Sequence, residues 1–312
     1  MAKNSDVDRY IHAGTRNNTR RSYQSAVRHF EEEWGGFLPA TSDSIARYLV
    51  DNAGILAVTT LKQRLAGLAQ WHITQGFPDP TKAPMVRQVL RGIRTLHPRQ
   101  GQQATPLQLK QIAQVVAWLD QQIQISESES PSSRYYRDKA LLLLGFWRGF
   151  RGDELCRLQI EHINAHNDLG MQIFIPQSKG DREAFGQLYQ VPALMQYCPV
   201  QAYLNWISIA GIENGPVFRP INRWGAIQAK ALSVNSINHI LRNLLERAGI
   251  AMASNYSSHS LRRGFATWAN DNGWDTKSLM QYVGWKDVKS AMRYIDTTGN
   301  FGKLAKFKEL LG

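Results

Sequence analysis

Two stretches near the C-terminus, SSHSLRRGFAT at residues 257–267 and QYVGWKDVKSAMRYID at 281–296, decide how this chain is read. His259 and Arg262 stand three apart, so on a helix they share one face. Gly284 and Trp285 follow, and Tyr294 comes nine residues after the tryptophan, on the next helical segment. A third stretch, GFRGDEL at 149–155, places Arg151 and Glu154 three apart at the opening of another helix.

Outward from these stretches the pattern is mostly helical. RDKALLLLGFWRG (137–149), directly before GFRGDEL, reads as a buried helix. MQIFIPQSKGDREAFGQLYQVP (171–192) changes period: apolar, β-branched and aromatic residues flank a KGD turn, which predicts a β-hairpin with Lys179 at its tip. Helices are expected near 196–210, 234–248, 260–272, 275–283 and 287–295. Upstream, TRNNTRRSYQSAVRHFEEEW (15–34) repeats Tyr23, Val27, Phe30 and Trp34 at helical spacing, with Arg20, Arg21 and Arg28 interleaved. Thr41 or Ser42 caps a helix over 43–53. A helix over 59–77 aligns Leu61, Leu65, Leu68 and Trp71. One over 83–97 turns Val86, Leu90 and Ile93 inward and Arg87, Arg91 and Arg94 outward. HPRQGQQATP (97–106) has no apolar period and reads as a linker, after which Pro106 suits a first helical turn. The expected fold is mainly α, with a small β-hairpin or sheet in the C-terminal domain.

The 312 residues suffice for two domains, each with its own core. A formal net charge of +12 favours a polyanionic partner, since each neutralised phosphate releases counterions. Residues 1–100 hold 14 Lys and Arg against 8 Asp and Glu, and the remainder 23 against 17, so both halves are basic. Two isolated cysteines, Cys156 and Cys198, make neither a disulfide framework nor a zinc site, and no metal-ligand spacing occurs. No secretory signal core opens the chain and no apolar run approaches the roughly 20 residues of a membrane helix. No membrane partner is expected, and a cytoplasmic, nucleoid-associated location is.

Breaking a phosphodiester without a metal makes four demands. Charge on the non-bridging oxygens must be neutralised, a nucleophile must lie in line, its proton must be accepted, and the leaving oxygen must be protonated. Arg151 and Arg262 are two guanidiniums able to clamp two oxygens. Glu154 is placed to orient an arginine or the histidine. Lys179 can protonate a leaving oxygen, His259 can bond the phosphate or take a proton, and the Trp285 indole offers one N–H donor. Tyr294, with an ordinary phenol pKa of about 10, becomes a nucleophile only among cations. Singly, each of these residues more often serves packing or a surface salt bridge. Arg148 lies ahead of the motif, and Arg263 faces away from His259; both are set aside.

Taken in order, Arg-x-x-Glu-Leu, a hairpin Lys, His-x-x-Arg, Gly-Trp and a Tyr nine residues on, the pattern resembles the catalytic domain of the tyrosine recombinase, or phage integrase, family over about residues 106–300. Most members carry His where this chain has Trp285, although Trp also occurs there. The resemblance implies two domains: a helical core-binding domain at 1–97, a linker at 98–105, and a catalytic domain at 106–312 whose C-terminal helix, about 303–312, docks on a neighbouring protomer. It implies a site-specific recombinase of integrase or resolvase type, at home in mobile elements. The catalytic set is Arg151, Lys179, His259, Arg262, Trp285 and the nucleophile Tyr294, supported by Glu154. The reaction passes through a 3′-phosphotyrosyl link and needs no cofactor, metal or ATP. A homotetramer would act on double-stranded DNA at two inverted-repeat sites, with Arg20, Arg21, Lys62, Arg64, Arg87, Arg91 and Arg94 facing the duplex. The alternatives are relaxation of DNA in the manner of a type IB topoisomerase, or a catalytically silent DNA-binding relative.

Overall fold

The computed structural model of the chain describes residues 9–10, 14–15, 17–98, 103–126, 132–176, 185–285 and 287–292. It divides into two compact units, Met1–Gln102 and Gln103–Gly312.

Every secondary-structure element among the described residues of the first unit is a helix. Helix α1 (Asn17–Arg28) runs into one π-helical turn (His29–Glu33), and is followed by α2 (Ser42–Asp51), α3 (Val58–Thr74) and α4 (Pro84–Leu96). Thr41 is the N-cap of α2, its hydroxyl accepting the Ser44 N–H at 3.2 Å. Pro84 opens α4, where the missing N–H costs nothing. The core gathers Phe30, Tyr48, Leu61, Leu65, Leu68, Val86 and Ile93. Helices α1 and α3 approach closely because Gly67 has no side chain: a Cβ there would stand 2.5 Å from that of Ala26.

The second unit comprises α5 (Leu109–Ile125), α6 (Ser132–Trp147), α7 (Gly152–Arg157), a three-stranded sheet, α8 (Pro199–Ala210), α9 (Val234–Arg247), α10 (Ser258–Asp271), α11 (Thr276–Val283) and α12 (Val288–Met292). Helix α6 is its axis and packs against α5, α8 and α10. Ala140 to Leu144 and Phe146 are fully buried within it. Truncating any one of these leucines removes about 2–5 kcal/mol.

The sheet is antiparallel in the order β1-β2-β3, with β1 (Ile163–His166), β2 (Gly170–Ile175) and β3 (Gln187–Val191). Ile173 is the shared partner, opposite Ile163 on one side and Tyr189 on the other. The expected hairpin is therefore present as β2 and β3, while β1 is an addition. Its four residues, INAH, give too short a run for period-2 alternation to stand out.

The expected start of α5 at Pro106 is corrected. Gln108 is the N-cap, its N–H donating to the Gln111 side chain at 2.9 Å, and the helix begins at Leu109. Residues 103–107, partly assigned above to the linker, bond within the second unit. The Thr105 N–H donates to the Asn255 carbonyl at 3.4 Å, and the Leu107 N–H to that of Ser260 at 3.0 Å. Among the described residues no helix is long and apolar enough to cross a membrane. The segment at 303–312, expected as a docking helix, lies outside the described residues.

Candidate active site

Three helices start at one place. Gly152, Val234 and Ser258 are the first residues of α7, α9 and α10. A Cβ on Gly152 would lie 2.7 Å from the Ser258 hydroxyl and 3.1 Å from Val234 Cγ1. Only glycine lets the turn carrying Arg151 come this near the turn carrying His259. Helix N-termini also bring unpaired N–H groups and a positive dipole end, which favours an anion nearby.

Arg151 is the N-cap of α7 and Glu154 sits at its third position, so the reach from one to the other is fixed by the first turn. The Arg151 N–H donates to Glu154 Oε2 at 2.8 Å, and its Nη1 to Oε1 at 2.6 Å. Glu154 is 2% exposed, whereas the Arg151 side chain keeps 23% of its surface. Arg262 comes in from α10 and is fully buried. Its Nη1 donates to the Gly149 carbonyl at 2.6 Å, and its Nη2 to that of Val283 at 3.2 Å. The same Nη1 lies 3.7 Å from Glu154 Oε2. One buried carboxylate thus joins the two guanidiniums from sequence-distant segments.

His259 shares α10 with Arg262 but stands at its first turn, exposed, while Arg262 lies beneath. The helical spacing brought them to one end of the helix, at different depths. Trp285 is placed by the end of α11. Gly284 adopts the left-handed conformation at φ 74°, and the Trp285 N–H donates back to the Met280 carbonyl at 2.9 Å, a Schellman closure. The indole, 5% exposed, then lies with its ring 5.2 Å from the Arg262 guanidinium carbon. This geometry supplies a cation–π contact as well as core packing. Beside Trp285 a cleft of about 310 Å³ opens, lined by Phe185, Gln187, Met280 and Gly284 among others.

Of the expected catalytic set, Arg151, Glu154, Arg262 and Trp285 meet in this cluster, and His259 stands at the helix end above it. Lys179 and Tyr294 lie outside the described residues. In the first unit, Arg21, Lys62, Arg87, Arg91 and Arg94 are exposed. Arg20 is half-buried and bonds Asn17. Arg64 is also half-buried, and ties α3 to α1 by donating to Ser25 Oγ at 2.8 Å.

One residue set aside on sequence grounds belongs beside this cluster. Arg148 is 3% exposed and lies between the rings of Tyr282 and Tyr189, at 4.1 and 4.4 Å. Burial lowers its pKa from the ordinary guanidinium range. Its place at the end of the wholly apolar run ALLLLGFW sets it beside the core, but that position does not by itself fix its burial.

A family model described as the phage integrase family matches residues 108–300. An integrase/recombinase XerD homolog of Selenomonas ruminantium is 32% identical over 271 residues, covering 85% of this chain and 76% of the relative. Recombinase Cre of Escherichia phage P1 is 25% identical over 88% of this chain and 80% of its own length. Among solved structures, XerH recombinase bound to a palindromic difH substrate superposes with a TM-score of 0.62 at 18% identity, covering 93% of this chain and 79% of that one. A lambda integrase (75–356) dimer bound to a COC′ core site gives 0.61, also at 18% identity, with coverages of 94% and 95%. The mainly helical fold is thus shared with these two proteins, both solved on DNA. The chain belongs to the phage integrase family, the tyrosine recombinases, and is an enzyme of site-specific DNA recombination.

Proposed function

We propose that this recombinase cleaves DNA through Tyr294, with Arg151, Arg262, His259 and Trp285 holding the scissile phosphate and Lys179 opposite them. The observation that carries the reading is the sharing of Glu154 by Arg151 and Arg262, at 2.6 and 3.7 Å, beside the packed indole of Trp285. Fixed in this way, two guanidiniums need little reorganisation as charge develops on the non-bridging oxygens. The Tyr294 hydroxyl gives its proton to His259 as its oxygen bonds to phosphorus and the bond to the 5′ oxygen breaks, and Lys179 gives the departing oxygen a proton. The 5′-hydroxyl of a partner strand then reverses the step. The phosphotyrosyl link conserves the phosphodiester energy, so rejoining needs no ATP.

The same reading assigns Met1–Gln102 to DNA binding through Arg21, Lys62, Arg87, Arg91 and Arg94, whose exposure supports it. Arg20 and Arg64 are assigned contacts at the edges of this surface. Two inverted-repeat sites would be occupied by a homotetramer, with 303–312 docking on the neighbouring protomer.

Covalent trapping tests the proposal. Purified protein is incubated with sheared DNA spanning its own gene and flanks, quenched with SDS, and the protein-linked DNA sequenced. Linkage at one inverted-repeat site in the wild type, absent in Tyr294→Phe, is the expected result. Linkage scattered without a site would instead indicate a topoisomerase activity, and no linkage despite DNA binding would indicate a silent relative.

A further inference from the structure

Two side chains of α9 hold the turn that opens α10. Asn238 and Arg242 stand four apart, one above the other on the same face of α9. The Ser258 N–H donates to Asn238 Oδ1 at 2.8 Å, and Arg242 Nε donates to the Tyr256 carbonyl at 2.9 Å. One tie accepts and the other donates, so together they fix both the position and the direction of the backbone between them. A third element joins the same turn: Gln111 of α5 donates to the Tyr256 hydroxyl at 2.8 Å.

The base of this clasp is firm. Helix α9 has its own cap, the Ser236 N–H donating to Ser233 Oγ at 3.1 Å, and Ile237 and Leu241, the residues before each tie, are fully buried. The start of α10 is closed partly from outside. Its cap residue Ser257 donates its own N–H to Ser260 Oγ at 3.0 Å, whereas the Ser258 N–H goes to a side chain of another helix. Ser258 is 2% exposed, so without Asn238 that N–H would lose its partner where water does not replace it. His259 is the next residue and belongs to the same first turn.

We propose that Asn238, seconded by Arg242, is a positioning residue of the recombination reaction: by accepting the Ser258 N–H it sets where His259 stands against the scissile phosphate. It acts through the backbone of α10. The proposal rests on the catalytic reading above, in which His259 takes the Tyr294 proton.

The test compares wild type with Asn238→Ala, Asn238→Asp, Gln114→Ala and Tyr294→Phe. Asn238→Ala removes the acceptor and Asn238→Asp keeps one. Gln114→Ala removes a bond of the same kind at the other end of α9, where Gln114 Nε2 donates to the carbonyl of the C-cap residue Ala248 at 2.6 Å. By the rise of the helix that end lies about 20 Å from Val234. DNA affinity, the rate of covalent complex formation with DNA already bound, and the thermal midpoint are measured for each, the rate at a temperature where every variant is folded. Tyr294→Phe gives the background. Misplacing a reacting group by about 1 Å costs on the order of 10²-fold in rate. Asn238→Ala is expected to cleave slower by about tenfold or more, with DNA affinity within about twofold. Asn238→Asp should cleave faster than Asn238→Ala. Gln114→Ala should lower the thermal midpoint and leave the rate as in wild type. A purely structural role predicts that Asn238→Ala and Gln114→Ala behave alike, or that Asn238→Asp does no better than Asn238→Ala, and either result would overturn the inference. Should Asn238→Ala not fold, Asn238→Ser, too short to reach Ser258, takes its place with the same expectations. A wild type that forms no covalent complex removes the catalytic reading and this inference together. A wild type that does so, matched by Asn238→Ala, removes the inference alone.

Discussion

Gly152 and Ser258 begin two different helices and lie so close that a Cβ on the glycine would come within 2.7 Å of the serine hydroxyl and 3.0 Å of its Cβ. The distance between the Arg151 turn and the His259 turn is set by this contact. Gly152→Ala must push the two helix starts apart. Overpacking of this kind costs about 1–3 kcal/mol. Cleavage should fall by more than that loss of stability explains, because the displaced group is Arg151. Urea denaturation alongside covalent trapping measures both.

Glu154 is the carboxylate that the two arginines share, and it is almost fully enclosed. Removing one partner of a buried pair leaves the others uncompensated and costs about 3–5 kcal/mol. Glu154→Ala should lose stability on that scale in chemical denaturation, and Glu154→Gln, which keeps one acceptor, should lose less. Equal stability of Glu154→Ala and wild type would mean that the cluster contributes nothing to the fold.

Trp285 has two separable properties: a ring against Arg262 and an N–H. Trp285→Phe keeps the first and removes the second. If the N–H meets the phosphate, cleavage should drop by about 10²-fold, the usual effect of losing one preorganised donor, with a thermal midpoint near that of wild type. Trp285→His restores a donor and should cleave faster than Trp285→Phe. Trp285→Ala empties the site and should cost about 3–5 kcal/mol. Single-turnover cleavage on a trapped substrate separates the three variants.

Cys156 lies on α7, within the helix that starts at the site. Burial, and after it the Asp153 carboxylate, push its thiol from 9.0 up to about 12. The folded state therefore favours the protonated thiol. Its contribution to stability is complete below pH 9.0 and is lost as pH rises toward about 12. At pH 8 the native chain should label slowly at Cys156 with a maleimide, and denaturant should bring the rate up to that of a free thiol. Peptide-level mass spectrometry reads the site. Labelling at the same rate in both states would show that the thiol is not held in its protonated form.

How much of this was legible in the sequence depended on whether a signal was local. Helical spacing placed Leu61, Leu65 and Leu68 in a core, and alternation predicted the pairing of β2 with β3. The three-residue step from Arg151 to Glu154 anticipated an ion pair that lies within one turn. Strand β1 was missed because four residues, alternately half-buried and exposed, are too few to show a period. The start of α5 was misplaced because a proline at a favourable position competed with Gln108, whose cap is made by a side chain three residues on. Arg64 was read as outward-facing, and its bond to Ser25 depends on how closely Gly67 lets α1 approach α3, a tertiary fact. Arg148 was passed over because its partners, Tyr189 and Tyr282, come from two elements far along the chain.

Gly264 sits in the middle of α10, and a side chain there would strike the Leu107 carbonyl at 1.8 Å. The fully buried Leu107 is pinned to the same helix through the Ser260 carbonyl, and Arg263 reaches out to the side chain of Gln103. The strand of chain that enters the second unit is therefore fastened to the helix bearing His259 and Arg262, within a turn of both. Residues 103–107 and the helix bearing the arginine thus move as one piece, joined by a seam that exists because one residue lacks a side chain.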